Sequence, residues 1–294
     1  ILIATGGTGG HVYPAYSLAN YLKKENFLIE LTSDKRGLKY LKNYTNFNVT
    51  EIPASPILKK NILQLIFSSL TVILSIIKSI IFLTFNRPSV VFGMGGYSSF
   101  PICIAASFLK IKFIIYESNL VLGKANKYLL PFAQKIFVSY KELEGVPEKF
   151  SGKICEIGNI IRDEIINFNY KSYDSKQFNS IQVLVLGGSQ AAKVFADVLP
   201  NIFKQLKNSE FPLKVYQQCQ KQQNEQLIEF YKKTQIDHEV FNFTDNIMKY
   251  YSKANIVITR SGASVLGELI NVKIPFISIP LPTSAENHQH KNAE

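Results

Sequence analysis

Two glycine clusters, each set directly after a short apolar run, are the residues with the most chemistry to offer. The first closes Ile1-Leu-Ile-Ala-Thr-Gly-Gly-Thr-Gly-Gly-His11, and the second lies in Ile181-Gln-Val-Leu-Val-Leu-Gly-Gly-Ser189-Gln-Ala. Glycine lets the backbone approach a phosphate closely, and the N–H groups at the start of a following helix attract negative charge. Other apolar runs end in the same way, in Gly93-Met-Gly-Gly-Tyr97, Glu117-Ser-Asn119, Gly158-Asn159 with Arg162, and Arg260-Ser-Gly262 with Glu268. One glycine pair after a strand is often a matter of sterics alone. Its repetition at equivalent edges makes a phosphate-bearing ligand the first expectation. No GxxxxGK[ST] run occurs, which excludes a P-loop NTPase.

Strands alternating with helices must carry these turns. The first half predicts strand 1–5, a helix over about 11–25, strand 28–32 and a charged connection. A long apolar helix follows, then strand Ser89–Phe92, a helix to about Leu109, strand Lys112–Tyr116, a helix to about Phe132, and strands Lys135–Ser139 and Lys153–Ile157. The second half predicts strand 181–186, a helix over about 190–207, strand 213–217, a helix over about 222–233, strands Val240–Phe243 and Ile256–Thr259, helix 263–271 and strand Pro275–Ile279. Strands separated by helices mean parallel sheets, whose ligands bind beyond the carboxyl ends of the strands. The polar stretch Asn167–Asn179 has a linker's composition. The expected domains are therefore residues 1–165 and 166–294, with the turns lining one cleft.

Composition agrees with a globular α/β chain. The 294 residues suffice for two domains, and 46% of them are hydrophobic. Cys103, Cys155 and Cys219 are isolated, so neither a zinc site nor a disulfide framework is expected, and reduced cytoplasmic thiols are the reading. No signal peptide opens the sequence, and with no initiator Met its first residues are expected to be missing. The net charge of +11 is uneven: residues 1–160 carry 18 Lys and Arg against 9 Asp and Glu, residues 161–294 carry 15 against 13. A basic half suits an anionic partner or a plain lysine-rich surface. The scattered basic residues form no nucleic-acid signature, so no nucleic-acid partner is expected.

Residues Asn61 to Asn86 read NILQLIFSSLTVILSIIKSIIFLTFN, long and apolar enough to raise the question of a membrane span. Serines and Lys78 interrupt the run, and the strand that follows must join the same sheet as the first. The expectation is a helix with one face on the sheet and an apolar outer face at a lipid interface. A core helix and a true span are the alternatives.

The stretches GGTGGHVYPAYSLA (6–19), VVFGMGGYSSFP (90–101), YESNLVLGKANKYL (116–129), IGNIIR (157–162), VLGGSQAAKVF (186–195), TRSGASVLGELI (259–270) and IPLPTSAENHQHKNA (279–293) together resemble the MurG family. These are the undecaprenyl-diphospho-muramoylpentapeptide N-acetylglucosaminyltransferases of peptidoglycan synthesis. The resemblance runs end to end and implies a GT-B fold, two Rossmann-like domains facing a cleft. It implies inverting transfer of GlcNAc from UDP-GlcNAc to the C4 hydroxyl of the muramoyl sugar of lipid I, giving lipid II. The place would be the cytoplasmic face of the plasma membrane, with the protein held peripherally on an anionic surface, and neither metal nor cofactor would be needed.

The resemblance also implies roles for particular residues. Thr8, Gly9 and Gly10 would lie near the diphosphates, with Gly93, Gly95, Gly96 and Tyr97 forming the acceptor diphosphate loop. Asn119 would bind the donor, Arg162 and Ser189 its diphosphate, and Thr244 the uracil through its backbone. Ala263, Ser264, Val265, Leu266, Gly267 and Glu268 would form the donor loop, with Glu268 on the ribose hydroxyls and Gln289 on those of GlcNAc. His11 is the expected general base, since an imidazole titrating near neutrality suits a sugar hydroxyl; orienting its loop is the alternative. Glu117 is a second candidate base or a structural acceptor, and Arg162 alternatively a salt-bridge partner.

The chain departs from the family pattern at Ser118, Ile160, Ala191 and Ser264–Gly267. The family continues beyond the counterpart of Glu294, so an incomplete second domain is expected. Outside this class, a dinucleotide oxidoreductase would use Gly7-x-Gly9 with Asp34 as its ribose acid, although Val12 stands at the third glycine. Another nucleotide-sugar transferase of the same fold and an inactive membrane-surface protein are the remaining alternatives.

Overall fold

The computed structural model describes residues 1–42, 46–56, 61–168, 180–208, 212–244 and 246–294, without the side chains of residues 189–192. It divides into two compact units, Ile1–Arg162 and Asp163–Glu294.

The first unit runs β1 (Leu2–Ala4), α1 (Gly9–Lys24), β2 (Glu30–Ser33), α2 (Lys35–Leu41), β3 (Val49–Glu51), α3 (Ile62–Asn86), β4 (Val91–Gly93), α4 (Gly96–Phe108), β5 (Phe113–Glu117), α5 (Lys124–Leu129), β6 (Lys135–Val138) and β7 (Ile154–Glu156). Its seven strands form one parallel sheet in the order β3-β2-β1-β4-β5-β6-β7. Short apolar strands with buried residues on both faces are what helices above and below a parallel sheet require. One layer of core joins Val91, Ile102, Phe113, Ile115, Ile136 and Leu83; a second joins Ile3, Ala15, Leu31, Phe92 and Met94.

The second unit runs α6 (Asp163–Ile166), β8 (Ile181–Leu186), α7 (Gly188–Asn208), β9 (Leu213–Gln218), α8 (Asn224–Lys233), β10 (Asp237–Phe241), α9 (Met248–Tyr251), β11 (Ile256–Thr259), α10 (Ala263–Val272), β12 (Phe276–Ser278) and α11 (His288–Ala293). Its sheet is parallel, in the order β10-β9-β8-β11-β12. Val183, Val185, Phe195, Phe203, Val215 and Tyr231 fill its core.

Several elements differ from the sequence expectation. The charged connection after the second strand folds into α2, capped by Asp34, and edge strand β3. The helix expected to reach Phe132 stops at Leu129, because Pro131 has no N–H to continue it. Lys153 Nζ takes over the carbonyls of Leu130, Pro131 and Ala133 at 2.9, 2.9 and 2.7 Å. Strand β10 begins at polar Asp237, which an edge strand tolerates, and not at Val240. The linker expected over 167–179 lies outside the described residues from 169 onward.

Helix α3 has an inverted face. Ser68, Ser75, Ser79 and Leu83 are buried, while Leu63, Ile66, Phe67, Leu70, Ile73, Leu74, Ile77, Ile81 and Phe85 are exposed. The inward hydroxyls of Ser75 and Ser79 bond back to the carbonyls of Thr71 and Ser75, each at 2.7 Å. The side chain of Asn61 caps the helix through Gln64 N at 2.7 Å. By length and composition α3 is able to cross a membrane. In this fold it is the connection between β3 and β4 of one sheet.

Candidate functional site

In each sheet the strand order reverses between two neighbours, β1 and β4 in the first unit and β8 and β11 in the second. Ligands of doubly wound sheets bind at such reversal points, beyond the carboxyl ends of the strands. All four glycine turns stand there, because α1, α4, α7 and α10 follow those four strands. Thr8 before α1, Gly95 before α4 and Gly262 before α10 make no side-chain cap, and the partial positive charge of each helix start attracts anions.

In the first unit the β1 turn is shaped by Gly6 (φ +147°) and Gly7 (φ +77°). A Cβ on Gly6 would stand 2.5 Å from Asp34 Oδ1. That oxygen accepts from Gly7 N and Gly37 N, both at 2.8 Å, so the buried Asp34 locks the turn to the end of β2. A ribose acid of the oxidoreductase type would need this carboxylate for the ligand; here it serves the backbone. Thr5 Oγ1 donates to His11 O at 2.9 Å, and His11 N to Thr8 O at 3.0 Å.

The structure brings His11 together with Gly95 and Gly96. A Cβ on Gly96 would lie 3.1 Å from His11 Nε2, and one on Gly95 3.5 Å from Cε1. The imidazole therefore rests on the second glycine turn, whose backbone at φ +84° and +69° leaves room for it. Gly93 ends β4 beneath, and the Tyr97 ring carries the Arg36 guanidinium 4.9 Å from its centroid.

Glu117 is buried, and both oxygens are engaged by its own loop. Oε1 accepts from Asn119 N (3.2 Å) and Asn119 Nδ2 (2.9 Å), Oε2 from Gly123 N (3.0 Å) and Asn126 Nδ2 (2.9 Å). Of the two roles expected for Glu117, this geometry serves the structural acceptor, because a proton-transferring carboxylate needs a lone pair turned to its substrate. Asn119 is held by the same bonds.

Arg162 is nearly buried, with its guanidinium 5.0 Å from the Tyr13 ring centroid. The run leading to it is pinned by Tyr116, which the sequence reading missed. The Tyr116 hydroxyl lies 2.9 Å from Ser139 Oγ and accepts from Ile160 N at 3.1 Å; Ser139 Oγ donates to Asn159 Oδ1 at 2.8 Å. Burial raises the Tyr116 pKa, so the phenol stays protonated.

In the second unit Ser189 lies in the first turn of α7, but its side chain lies outside the described residues. Along α10, Ala263, Leu266 and Gly267 are buried, so the Leu266 side chain belongs to the core and only backbone can serve a ligand there. Ser264 and Val265 are half-buried. Glu268 Oε2 accepts from Tyr251 Oη at 3.1 Å, which orients the carboxylate. Arg260, preceding this turn, donates to Ile279 O (3.2 Å) and Pro280 O (3.0 Å) and lies over Phe195 at 4.6 Å. Burial lowers its pKa, and its role is to hold the exit of β12. Asn292 Nδ2 donates to Ser261 O at 3.0 Å, tying α11 to the same turn. Gln289 Oε1 accepts from Leu281 N at 2.9 Å, and Thr244 Oγ1 from Asn246 N at 3.1 Å. Among the described residues no group of three or more His, Cys, Asp or Glu is placed to hold a metal.

Arg36, Tyr116 and Asn126 escaped the sequence reading as parts of the site, and Asp34 entered it only as the ribose acid of the oxidoreductase alternative.

Comparison with known proteins agrees with this geometry. Residues 1–138 match the glycosyltransferase family 28 N-terminal domain and residues 182–294 its C-terminal domain. A Pelagibacter ubique protein named UDP-N-acetylglucosamine–N-acetylmuramyl-(pentapeptide) pyrophosphoryl-undecaprenol N-acetylglucosamine transferase is 39% identical over 293 residues, covering 100% of this chain and 80% of the relative. Its namesake in Rickettsia felis is 35% identical, covering 100% and 82%. The crystal structure of Acinetobacter baumannii MurG shares the fold, with a TM-score of 0.73 at 24% identity over 99% of this chain and 81% of that one. With two glycine-turned sheets and these relatives, the chain belongs to glycosyltransferase family 28, in the group of the pyrophosphoryl-undecaprenol N-acetylglucosamine transferases.

Proposed function

We propose that the chain transfers GlcNAc from UDP-GlcNAc to the C4 hydroxyl of the muramoyl sugar of an undecaprenyl-diphospho-muramoylpentapeptide. The observation that carries this reading is the placement of helix starts after glycine turns at both reversal points, with Arg162 in the first unit and Glu268 in the second. A sugar nucleotide needs what the second unit offers: backbone N–H groups for phosphate and a carboxylate for a ribose diol. The acceptor diphosphate needs the same of the first unit.

The reaction is a single displacement. His11 removes the C4 hydroxyl proton as the oxygen attacks the anomeric carbon. The bond from that carbon to the β-phosphate oxygen breaks, UDP departs with the electron pair, and the configuration inverts. Positive charge at the departing diphosphate comes from the α10 N-terminus, and a displacement stabilised in this way calls on neither metal nor cofactor.

The acceptor's lipid tail stays in the bilayer, so the protein must come to it. The exposed stripe of α3 fits a helix lying in the interface, with the excess Lys and Arg of residues 1–160 drawn to anionic headgroups. We place the chain peripherally at the cytoplasmic face of the membrane.

The test is turnover with UDP-GlcNAc and a short-chain prenyl-diphospho-muramoylpentapeptide, followed by UDP release and disaccharide mass. Formation of the β-linked disaccharide is the expected result. UDP-GlcNAc binding without transfer to this acceptor would favour a relative with another acceptor, and NADH binding in its place would overturn the class.

A further inference from the structure

Arg36 stands next to the reversal point of the first sheet although no motif pointed to it. It lies in the first turn of α2, at the carboxyl end of β2, the strand beside β1. Two contacts hold it, the Tyr97 ring at 4.9 Å and Asp34 Oδ2 at 3.6 Å from Nε, and its Nη2 lies 3.4 Å from where a Cβ on Gly7 would stand. Its side chain is nevertheless 48% exposed. The result is a positioned guanidinium fork, open to solvent, beside the starts of both α1 and α4.

A second observation is independent of that arginine. Ser98, in the first turn of α4, is only 5% exposed, and its Oγ has no hydrogen-bond partner among the described residues. The hydroxyl lies 3.6 Å from the same Cβ position on Gly7. Buried hydroxyls normally have partners, and one without has its hydrogen-bonding capacity open to a ligand.

We infer that Arg36 is the cation that binds the acceptor's diphosphate, gripping a phosphate oxygen above the Gly7 turn while Tyr97 and Asp34 hold the guanidinium in place. The inference rests on the acceptor reading above and adds to it the residue that selects for a diphosphate. A planar fork matches two phosphate oxygens at once, which a lysine ammonium does not. The position also suits the role, since residues at the end of the second strand face ligands in doubly wound sheets.

The test uses the whole chain. With a prenyl-diphospho-muramoyl acceptor, R36Q should raise the acceptor KM about ten- to a hundredfold, the loss of one or two charge-assisted hydrogen bonds, and leave the UDP-GlcNAc KM in place. R36K should recover only part of the loss. In parallel, inorganic pyrophosphate is titrated calorimetrically with UDP present at saturation to occupy the donor site. Wild type should bind it and R36Q at least tenfold more weakly, with thermal unfolding confirming that the variant is folded. Unchanged acceptor KM and pyrophosphate affinity in R36Q would overturn the inference, as would full recovery by R36K. If wild type fails to glycosylate the acceptor but binds pyrophosphate through Arg36, the acceptor reading falls and the anion site stands.

Discussion

Replacing Glu117 with alanine removes the acceptor for Asn119 N, Gly123 N and the amides of Asn119 and Asn126. Each buried donor left without a partner costs about 1–3 kcal/mol, so the variant should lose stability, read as a lowered denaturant midpoint. His11→Ala should behave oppositely, with kcat falling about 10²–10⁴-fold while UDP affinity and unfolding stay in place. Calorimetry with UDP separates the two: a His11 variant that loses UDP affinity at normal kcat would make His11 a loop-orienting residue. Glu268→Ala should weaken UDP by the value of charge-assisted bonds to a diol, about 1.5–3 kcal/mol each. Unchanged affinity would refute the ribose assignment. The glycines and His11 were legible in the sequence because a turn with positive φ is a local demand that glycine answers visibly. The hold of Asp34 on the Gly7 turn and that of Tyr116 on Ile160 were not, because the partners are 27 and 44 residues apart. Nothing around Tyr116 in the chain announces that its hydroxyl will hold the backbone before Arg162.

Strands and long helices were legible because apolar runs and their punctuation are written over five or more residues. The elements missed were those whose reason is tertiary. Strand β3 is a three-residue edge that exists because β2 offers it a partner, and α2 begins where Asp34 turns to accept from Gly37. Helix α3 was legible in extent, and its outward apolar face was expected; its inward serines were visible only as interruptions. Changing Ile66, Leu70, Ile73 and Ile77 to Ser should abolish the salt-resistant part of binding to anionic vesicles, measured by sedimentation, with little change in thermal unfolding. Loss of stability instead of loss of binding would return those side chains to the core. Ser75→Leu, by contrast, should destabilise by about 1–3 kcal/mol, because the inward face has no room for added methylenes.

Each unit carries its own core and its own sheet, so calorimetric unfolding should show two transitions. Under the donor reading, UDP at a hundred times its Kd adds about 2.7 kcal/mol to the unit that binds it. The transition of residues 163–294 should rise, with hydrogen-exchange protection gathering at the start of α10. Protection confined to α1 and α4 would reverse the assignment of donor and acceptor to the two units. At this scale the division was legible from the repeat of strand, glycine turn and helix. The precise junction was not, since the boundary between Arg162 and Asp163 falls after the Gly158-Asn159 turn and before the polar stretch that reads as a linker.

The inverted face of α3 has a consequence for which substitutions the protein tolerates. On an ordinary surface helix the outward positions accept almost any polar residue and the inward ones demand bulk. Along Ile62–Asn86 a complete substitution scan under selection for activity should show the mirror image. Outward positions would exchange freely among Leu, Ile, Phe, Val and Met and reject Asp and Glu. Positions 68, 75 and 79 would accept only Ser, Ala and Gly, chosen by size. The same scan under selection for solubility alone would reward the charges that activity forbids, so the two selections would pull one helix in opposite directions.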